Sequence, residues 1–297
     1  MQILRSEIET MGWFSGEDYP FQSRYADLTQ GRMHYVDEGE GGAIVFVHGT
    51  PSWSYEFRAE IRELSRSYRC IAIDHLGFGL SERPENWDYT LESHRKSFSE
   101  FIDRMGVEHF SLVMHDFGGP IALPWVIDHP GRIRSMAFSN SWFWPFEAVD
   151  VEFARGKRWL DSAFMKFAYL RLNFSAQVMV KMAWGRRRPL DRRTHDHYRK
   201  LFPSSKSRIS TWALVQAMIH PQNDFLDFEK KISTLRGIPT LLLWGEEDRF
   251  VTKVHLEKWQ SLLPEAEVEM LHDVGHFTLD EAPDLVNPRL SSFFKSH

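Results

Sequence analysis

Short, continuously apolar, β-favouring runs alternate with amphipathic helical stretches along most of this 297-residue chain, and almost every run stops at a polar or charged residue. The sharpest instance is residues 111–119, Ser-Leu-Val-Met-His-Asp-Phe-Gly-Gly. A buried strand that meets two glycines and then turns helical reads as a strand–turn–helix elbow, with Asp116 at its tip. The same grammar recurs. Residues 43–47 end in His48-Gly49-Thr50-Pro51, residues 68–73 in Asp74, and residues 133–139 in Asn140. Residues 240–244 lead into Gly245-Glu246-Glu247-Asp248, and residues 267–271 into His272-Asp273-Val274-Gly275-His276-Phe277. Helical patterns lie between them at 52–65, 90–105 (Thr90 as N-cap), 119–129, 251–263 and 282–294. Continuously apolar strands alternating with helices predict an α/β fold with a parallel sheet covered on both faces. In such sheets the chemistry sits at the carboxyl ends of the strands. Two alternating runs around Thr29-Gln30-Gly31 predict an antiparallel hairpin ahead of the parallel part.

Residues 141–208 break the alternation. Trp142, Trp144, Trp159, Phe164, Phe167 and Tyr169 fall among helical signals without a strand pattern. This stretch reads as a helical lid over the strand ends, dividing the core into 1–140 and 209–297. Its aromatic residues are expected to line a pocket or fill the lid's interior. The basic runs 186–188 and 192–193 read as a solvated face.

Bulk properties narrow the class. The net charge of −5 gives no electrostatic reason to expect nucleic acid or a membrane as partner. A single cysteine, Cys70, excludes an intrachain disulfide and suits a reducing compartment. With no leader pattern and no membrane-length apolar run, the expectation is a cytoplasmic protein, monomeric or a small homo-oligomer.

Three residues stand in the order nucleophile, acid, histidine: Asp116, Asp248, His276. Each follows a different strand, so a parallel sheet would bring them together. An elbow serine would attack carbonyl groups with a histidine to take its proton. Aspartate is already ionised at neutral pH and can displace a leaving group from a saturated carbon, forming an alkyl ester. His276, oriented by Asp248, would then activate the water that hydrolyses it. Backbone N–H groups of Thr50 and Phe117 are the expected donors to the resulting oxyanion. His276 is preferred to His272 because it follows glycine at the start of the last helical region. Glu246 and Glu247, in the same turn as Asp248, are the rival acids.

The motifs at 48–55, 74–81, 115–119 and 275–277 resemble those of haloalkane dehalogenases, members of the α/β-hydrolase superfamily. The resemblance covers nearly the whole chain and is weakest in the lid. It implies an α/β-hydrolase fold with a mostly parallel eight-stranded sheet and a helical cap after the sixth strand. It also implies hydrolysis of a carbon–halogen bond in a small apolar, halogenated substrate to an alcohol and a halide, without cofactor or metal. Some relatives place the acid after the strand that here ends at Ser139, where Asn140 and Ser141 cannot be ionised, and this favours Asp248. Two positions depart from the pattern. Phe117 stands where the family usually carries a tryptophan that binds halide through its indole N–H, and Thr50 where many members carry Asn or Glu. Losing one such donor costs about 3 kcal/mol, roughly a hundredfold in rate. Trp142 and Trp144 are the candidates to replace it, with packing between core and lid as the alternative.

The same three residues also suit an epoxide hydrolase or an enzyme that opens a β-lactone, for which Tyr169 and Tyr198 are candidate acids. A receptor that binds without catalysis is a further alternative. Asp74 is expected to order the loop beneath the nucleophile, and Trp53 to be structural.

Overall fold

The computed structural model describes residues 5–220 and 224–297. The first four residues, part of the N-terminal stretch without a leader pattern, and residues 221–223 lie outside the described residues. Eight strands form one sheet: β1 (Arg24–Leu28), β2 (Gly31–Glu38), β3 (Ala43–Val47), β4 (Arg69–Ile73), β5 (Phe110–Asp116), β6 (Ile133–Ser141), β7 (Thr240–Gly245) and β8 (Glu267–Leu271). Their order is β1-β2-β4-β3-β5-β6-β7-β8. β2 pairs antiparallel with β1, as the glycine turn predicts, and also with β4; every other pairing is parallel. Strands β3, β5 and β7 are buried at every position, which is why their sequences are apolar throughout rather than alternating.

The helices α1 (Arg5–Glu9), α2 (Arg58–Leu64), α3 (Leu91–Met105) and α4 (Gly118–Asp128) belong to the first half of the chain. The Thr90 hydroxyl caps α3 by accepting the Ser93 N–H at 3.2 Å, as its sequence position suggests. Between β6 and β7 lie α5 (Val151–Leu160), α6 (Ala163–Leu172), a π-helical turn at Ser175–Met179, α7 (Val180–Ala183), α8 (Arg192–Arg199), α9 (Ile209–Ile219) and α10 (Asp224–Lys231). The sheet then resumes with α11 (Lys253–Leu262), α12 (Thr278–Glu281) and α13 (Pro283–Ser296).

The main core runs along both faces of the sheet, while a smaller cluster of Met165, Tyr169, Val215 and Ile219 joins α6 to α9. The inserted helices therefore have an interior of their own, and α9 shares it. One expectation fails here. Trp159, Phe164 and Phe167 neither line a pocket nor fill this interior: they are 56%, 63% and 53% exposed. Their helices turn Leu160, Met165 and Tyr169 inward instead, so helical spacing leaves those three aromatics outside.

Candidate active site

β5 ends in the elbow. Asp116 has φ 50, a left-handed conformation that is costly for a non-glycine residue and presents its side chain at a sharp turn. The chain can turn so tightly because a side chain at Gly118 would strike the Val47 carbonyl, and one at Gly49 would strike the Asp116 carboxylate. The Ser141 hydroxyl donates to the Asp116 carbonyl oxygen at 2.6 Å and holds the turn from β6. The Asp116 carboxylate accepts the Thr50 N–H at 2.7 Å, and the Phe117 N–H at the start of α4 also favours its charge. Both donors expected from the sequence thus converge on one carboxylate, at the positive end of a helix.

His276 faces this group. Its Nε2 lies 3.7 Å from Asp116 Oδ1, and its Nδ1 is 2.7 Å from Asp248 Oδ2. Asp116, Asp248 and His276 are all buried, at 6%, 6% and 4% exposure. Burial opposes charge on His276, but Asp248, Asp116 and Glu56 outweigh it and raise the imidazole to about 9. Burial would also raise Asp248; the His276 charge and the N–H groups of Phe250 and Val251 outweigh that and lower it. For Asp116 burial prevails, and the carboxyl sits above its ordinary value although His276 pulls it down. The triad order read from the sequence therefore corresponds to three side chains in one buried cluster.

Supporting residues went unread in the sequence. Asn140 (φ 38) donates from Nδ2 to Asp248 Oδ2 at 2.7 Å and accepts the Gly245 N–H at 2.9 Å. Asn140, which cannot itself be ionised, thus holds Asp248 in place. The Glu281 carboxylate accepts the N–H groups of Gly275 and Phe277, on either side of His276, at 3.0 and 3.1 Å, and that of Gly185 from the inserted segment at 2.7 Å. Burial raises Glu281 to about 7 against these three bonds. His115 stands beneath the triad, with Nε2 2.9 Å from the His276 carbonyl oxygen and Nδ1 3.1 Å from Glu56. Only a glutamate five residues after His276 was visible as a signal, and such spacing alone points to nothing. Asp74 does order its loop, accepting from Ser54 N–H, Leu80 N–H and the His34 ring at 2.8 Å each. Trp53 is buried, with its indole N–H donated to the His197 carbonyl.

A cavity of about 650 Å³ opens over Asp116 and His276, walled by Thr50, Phe117, Trp142 and Tyr169 and by residues of α5, α7 and α9. Thr50 Oγ1 is buried without a partner in this wall. Trp142 packs edge-on against Phe117, with ring centroids 4.8 Å apart, and its indole N–H makes no hydrogen bond among the described residues. Trp144, named with Trp142 in the sequence, lies elsewhere: its indole N–H donates to His255 Nδ1 at 3.0 Å and its ring packs on Trp259. Tyr169 lines the cavity and donates only to Met179 Sδ. Tyr198 is turned away and donates to Asp280. His272 is exposed and pairs with Glu246. Among the described residues no group of three His, Cys, Asp or Glu could hold a metal ion, and no helix is long and apolar enough to cross a membrane.

Comparison with known proteins agrees with this geometry. The family model of the alpha/beta hydrolase fold matches residues 42–283. Haloalkane dehalogenase 2 of Mycobacterium tuberculosis is 33% identical over 270 residues, 90% of this chain and 93% of that one. The cis-3-alkyl-4-alkyloxetan-2-one decarboxylase of Shewanella oneidensis is 30% identical over 283 residues, covering 92% and 88%. In fold, the chain superposes on the haloalkane dehalogenase DatA of Agrobacterium tumefaciens with a TM-score of 0.80 at 24% identity, covering 92% and 97%. The chain belongs to the α/β-hydrolase superfamily, as a haloalkane dehalogenase-like member.

Proposed function

We propose that the protein is a hydrolase that uses Asp116 as a nucleophile to form an alkyl ester, with haloalkanes as its substrate class. The observation that carries this reading is the Asp116 carboxylate on its strained elbow, held by the Thr50 N–H, its charge favoured by the Phe117 N–H, and faced by an imidazole bonded to a second carboxylate. In the first step an Asp116 oxygen bonds to the saturated carbon, and the carbon–halogen bond breaks with its electron pair leaving on the halide. Thr50 Oγ1 and the Trp142 indole N–H, both without an acceptor in the cavity wall, are suited to receive the halide in place of the tryptophan that Phe117 replaces.

The ester has no charge on Asp116. His276 then loses one of the negative charges that hold it near 9, and its pKa falls. The imidazolium of the resting site becomes the neutral base that the second step needs. Water attacks the Asp116 carboxyl carbon, its proton goes to His276, and the oxyanion is received by the Thr50 and Phe117 N–H groups. Collapse releases the alcohol and restores the carboxylate. No cofactor enters. The cap over this cavity comprises the inserted helices, and we extend its limit from residue 208 to Ile219 because α9 shares their interior.

A second reading, opening of an epoxide or β-lactone ring, is favoured by Tyr169. It lines the cavity, and among the described residues its hydroxyl has only a thioether as acceptor, which leaves its proton available to a leaving oxygen. The 30% identical relative named for an oxetan-2-one supports the same alternative. Halide release from short bromoalkanes, set beside consumption of matched epoxides and β-lactones, decides between the two. Halide release with the rings untouched supports the first; ring consumption without halide release rejects it in favour of the second.

A further inference from the structure

The net charge of −5 averages two unlike parts. Residues 142–219 carry 15 Lys and Arg against 6 Asp and Glu, or +9; the rest of the chain carries 21 against 35, or −14. Between Phe153 and Leu190 there is one carboxylate, Asp161, against nine Lys and Arg. Exposed apolar side chains gather in the same place. Of the twelve large hydrophobic residues exposed among the described ones, eight lie in 142–219.

The two features interleave on the outer faces of α5, α6 and α7. Trp159, Phe164, Phe167 and Met182 are exposed there. Beside them Arg158, Lys166, Arg171 and Lys181 are exposed and make no ion pair among the described residues. Most cations elsewhere in the segment are matched, Arg192 being an exposed exception: Arg186 meets Glu247 and Asp273, Arg187 meets Asp284, and Arg193 meets Asp18, while Arg208 donates to backbone carbonyls. Packing does not account for the aromatics either, since Leu160, Met165 and Tyr169 supply the inward face of these helices. Exposed apolar side chains gathered in one region mark an interaction surface, and the cations set among them give the sign of the partner. An anionic lipid surface suits both: the rings enter the headgroup region while the long basic side chains reach the phosphates.

We propose that the outer face of α5–α7 is a docking surface for an anionic lipid bilayer, on which the protein sits peripherally. Charge complementarity selects this occupant. The face of a second copy would have to be the acidic remainder, which offers no apolar patch of comparable size among the described residues: outside 142–219 the exposed large hydrophobics are the scattered Met11, Val254, Val268 and Leu285. The inner sides of the same helices wall the cavity, so a protein seated this way holds its apolar cavity beside the phase in which apolar molecules dissolve. The proposal stands independently of which bond the enzyme breaks.

Co-sedimentation with vesicles tests it, using pure phosphatidylcholine and phosphatidylcholine mixed with phosphatidylglycerol. The intact protein should partition to the mixed vesicles, more weakly to the neutral ones, and less as salt rises. Two double variants, Phe164→Ser with Phe167→Ser and Lys166→Glu with Arg171→Glu, should each weaken partitioning about tenfold or more. Circular dichroism establishes that both variants are folded. Absence of partitioning overturns the proposal, as does equal partitioning by the folded variants. Sedimentation velocity adds a third overturning result: a dimer of the intact protein that both variants dissolve would mean that a second copy covers this face.

Discussion

The two sides of the cavity are built to different standards. On the strand side, Asp116, Asp248 and His276 each have their position fixed by several hydrogen bonds, from Ser141, Thr50, Asn140, Phe250 and the Glu281-braced loop. Among the groups that line the cavity, Thr50 Oγ1 and Trp142 Nε1 have no partner among the described residues, and Tyr169 has a thioether. Forming and hydrolysing an ester demands one geometry and tolerates little misplacement. Receiving a leaving group demands only donors within reach, and several arrangements suffice. The strand side therefore specifies the reaction and the wall specifies the substrate.

Substitutions can break this division or sharpen it. Asp116→Ala should remove the reaction altogether, with turnover of every substrate class falling about 10⁴-fold or more, measured by product formation. Loss confined to one class would mean that Asp116 belongs to the wall rather than to the reaction. His276→Gln should lower steady-state turnover about 10³-fold. In the intact enzyme, ester hydrolysis should rise with pH, because only neutral His276 is a base. Its midpoint should lie below the value of about 9 for the resting site, since the ester removes the Asp116 charge. Single-turnover rates against pH measure this, and a midpoint at or above 9 would contradict the charge argument.

The wall should respond selectively. Phe117→Trp restores the indole donor at the family's usual position and should raise bromoalkane turnover about a hundredfold if halide stabilisation limits the rate, with ring substrates unaffected. Tyr169→Phe should do the reverse, costing up to about a hundredfold on epoxides or β-lactones and little on haloalkanes. The smallest effect belongs to Glu281→Gln. One carboxylate oxygen that now accepts a backbone N–H becomes an amide donor, so the His276 loop loosens. Ester hydrolysis should slow about tenfold while ester formation keeps its rate. Equal slowing of both steps would point to general destabilisation instead.

The strand side was also the legible one. A strand buried on both faces must be continuously apolar, so β3, β5 and β7 announced themselves, and the residue that ends each run marked the site. Asn140 was not legible as a support because only the sheet brings it to Asp248, 108 residues away. Glu281 acts on N–H groups four and six residues away, but a glutamate at that spacing marks nothing by itself. The inserted helices were legible only as helices. The same spacing that turns Met165 and Tyr169 inward leaves Phe164 and Phe167 in solvent, and composition does not say which face will be covered. For the same reason Trp142 and Trp144, two residues apart, could not be separated. One reaches the cavity wall and the other donates to His255.

The central claim is that Asp116 becomes an ester, and the mass of the trapped protein tests it most directly. His276→Gln protein is incubated in turn with a bromoalkane, an epoxide and a β-lactone, then measured intact and mapped by peptide. The account predicts a stoichiometric adduct on Asp116. An alkyl group without bromine identifies displacement of halide, and a gain equal to the whole substrate mass identifies ring opening. Folded protein that turns over one of these substrates in its native form, yet carries no adduct on Asp116 once His276 is replaced, would contradict the account.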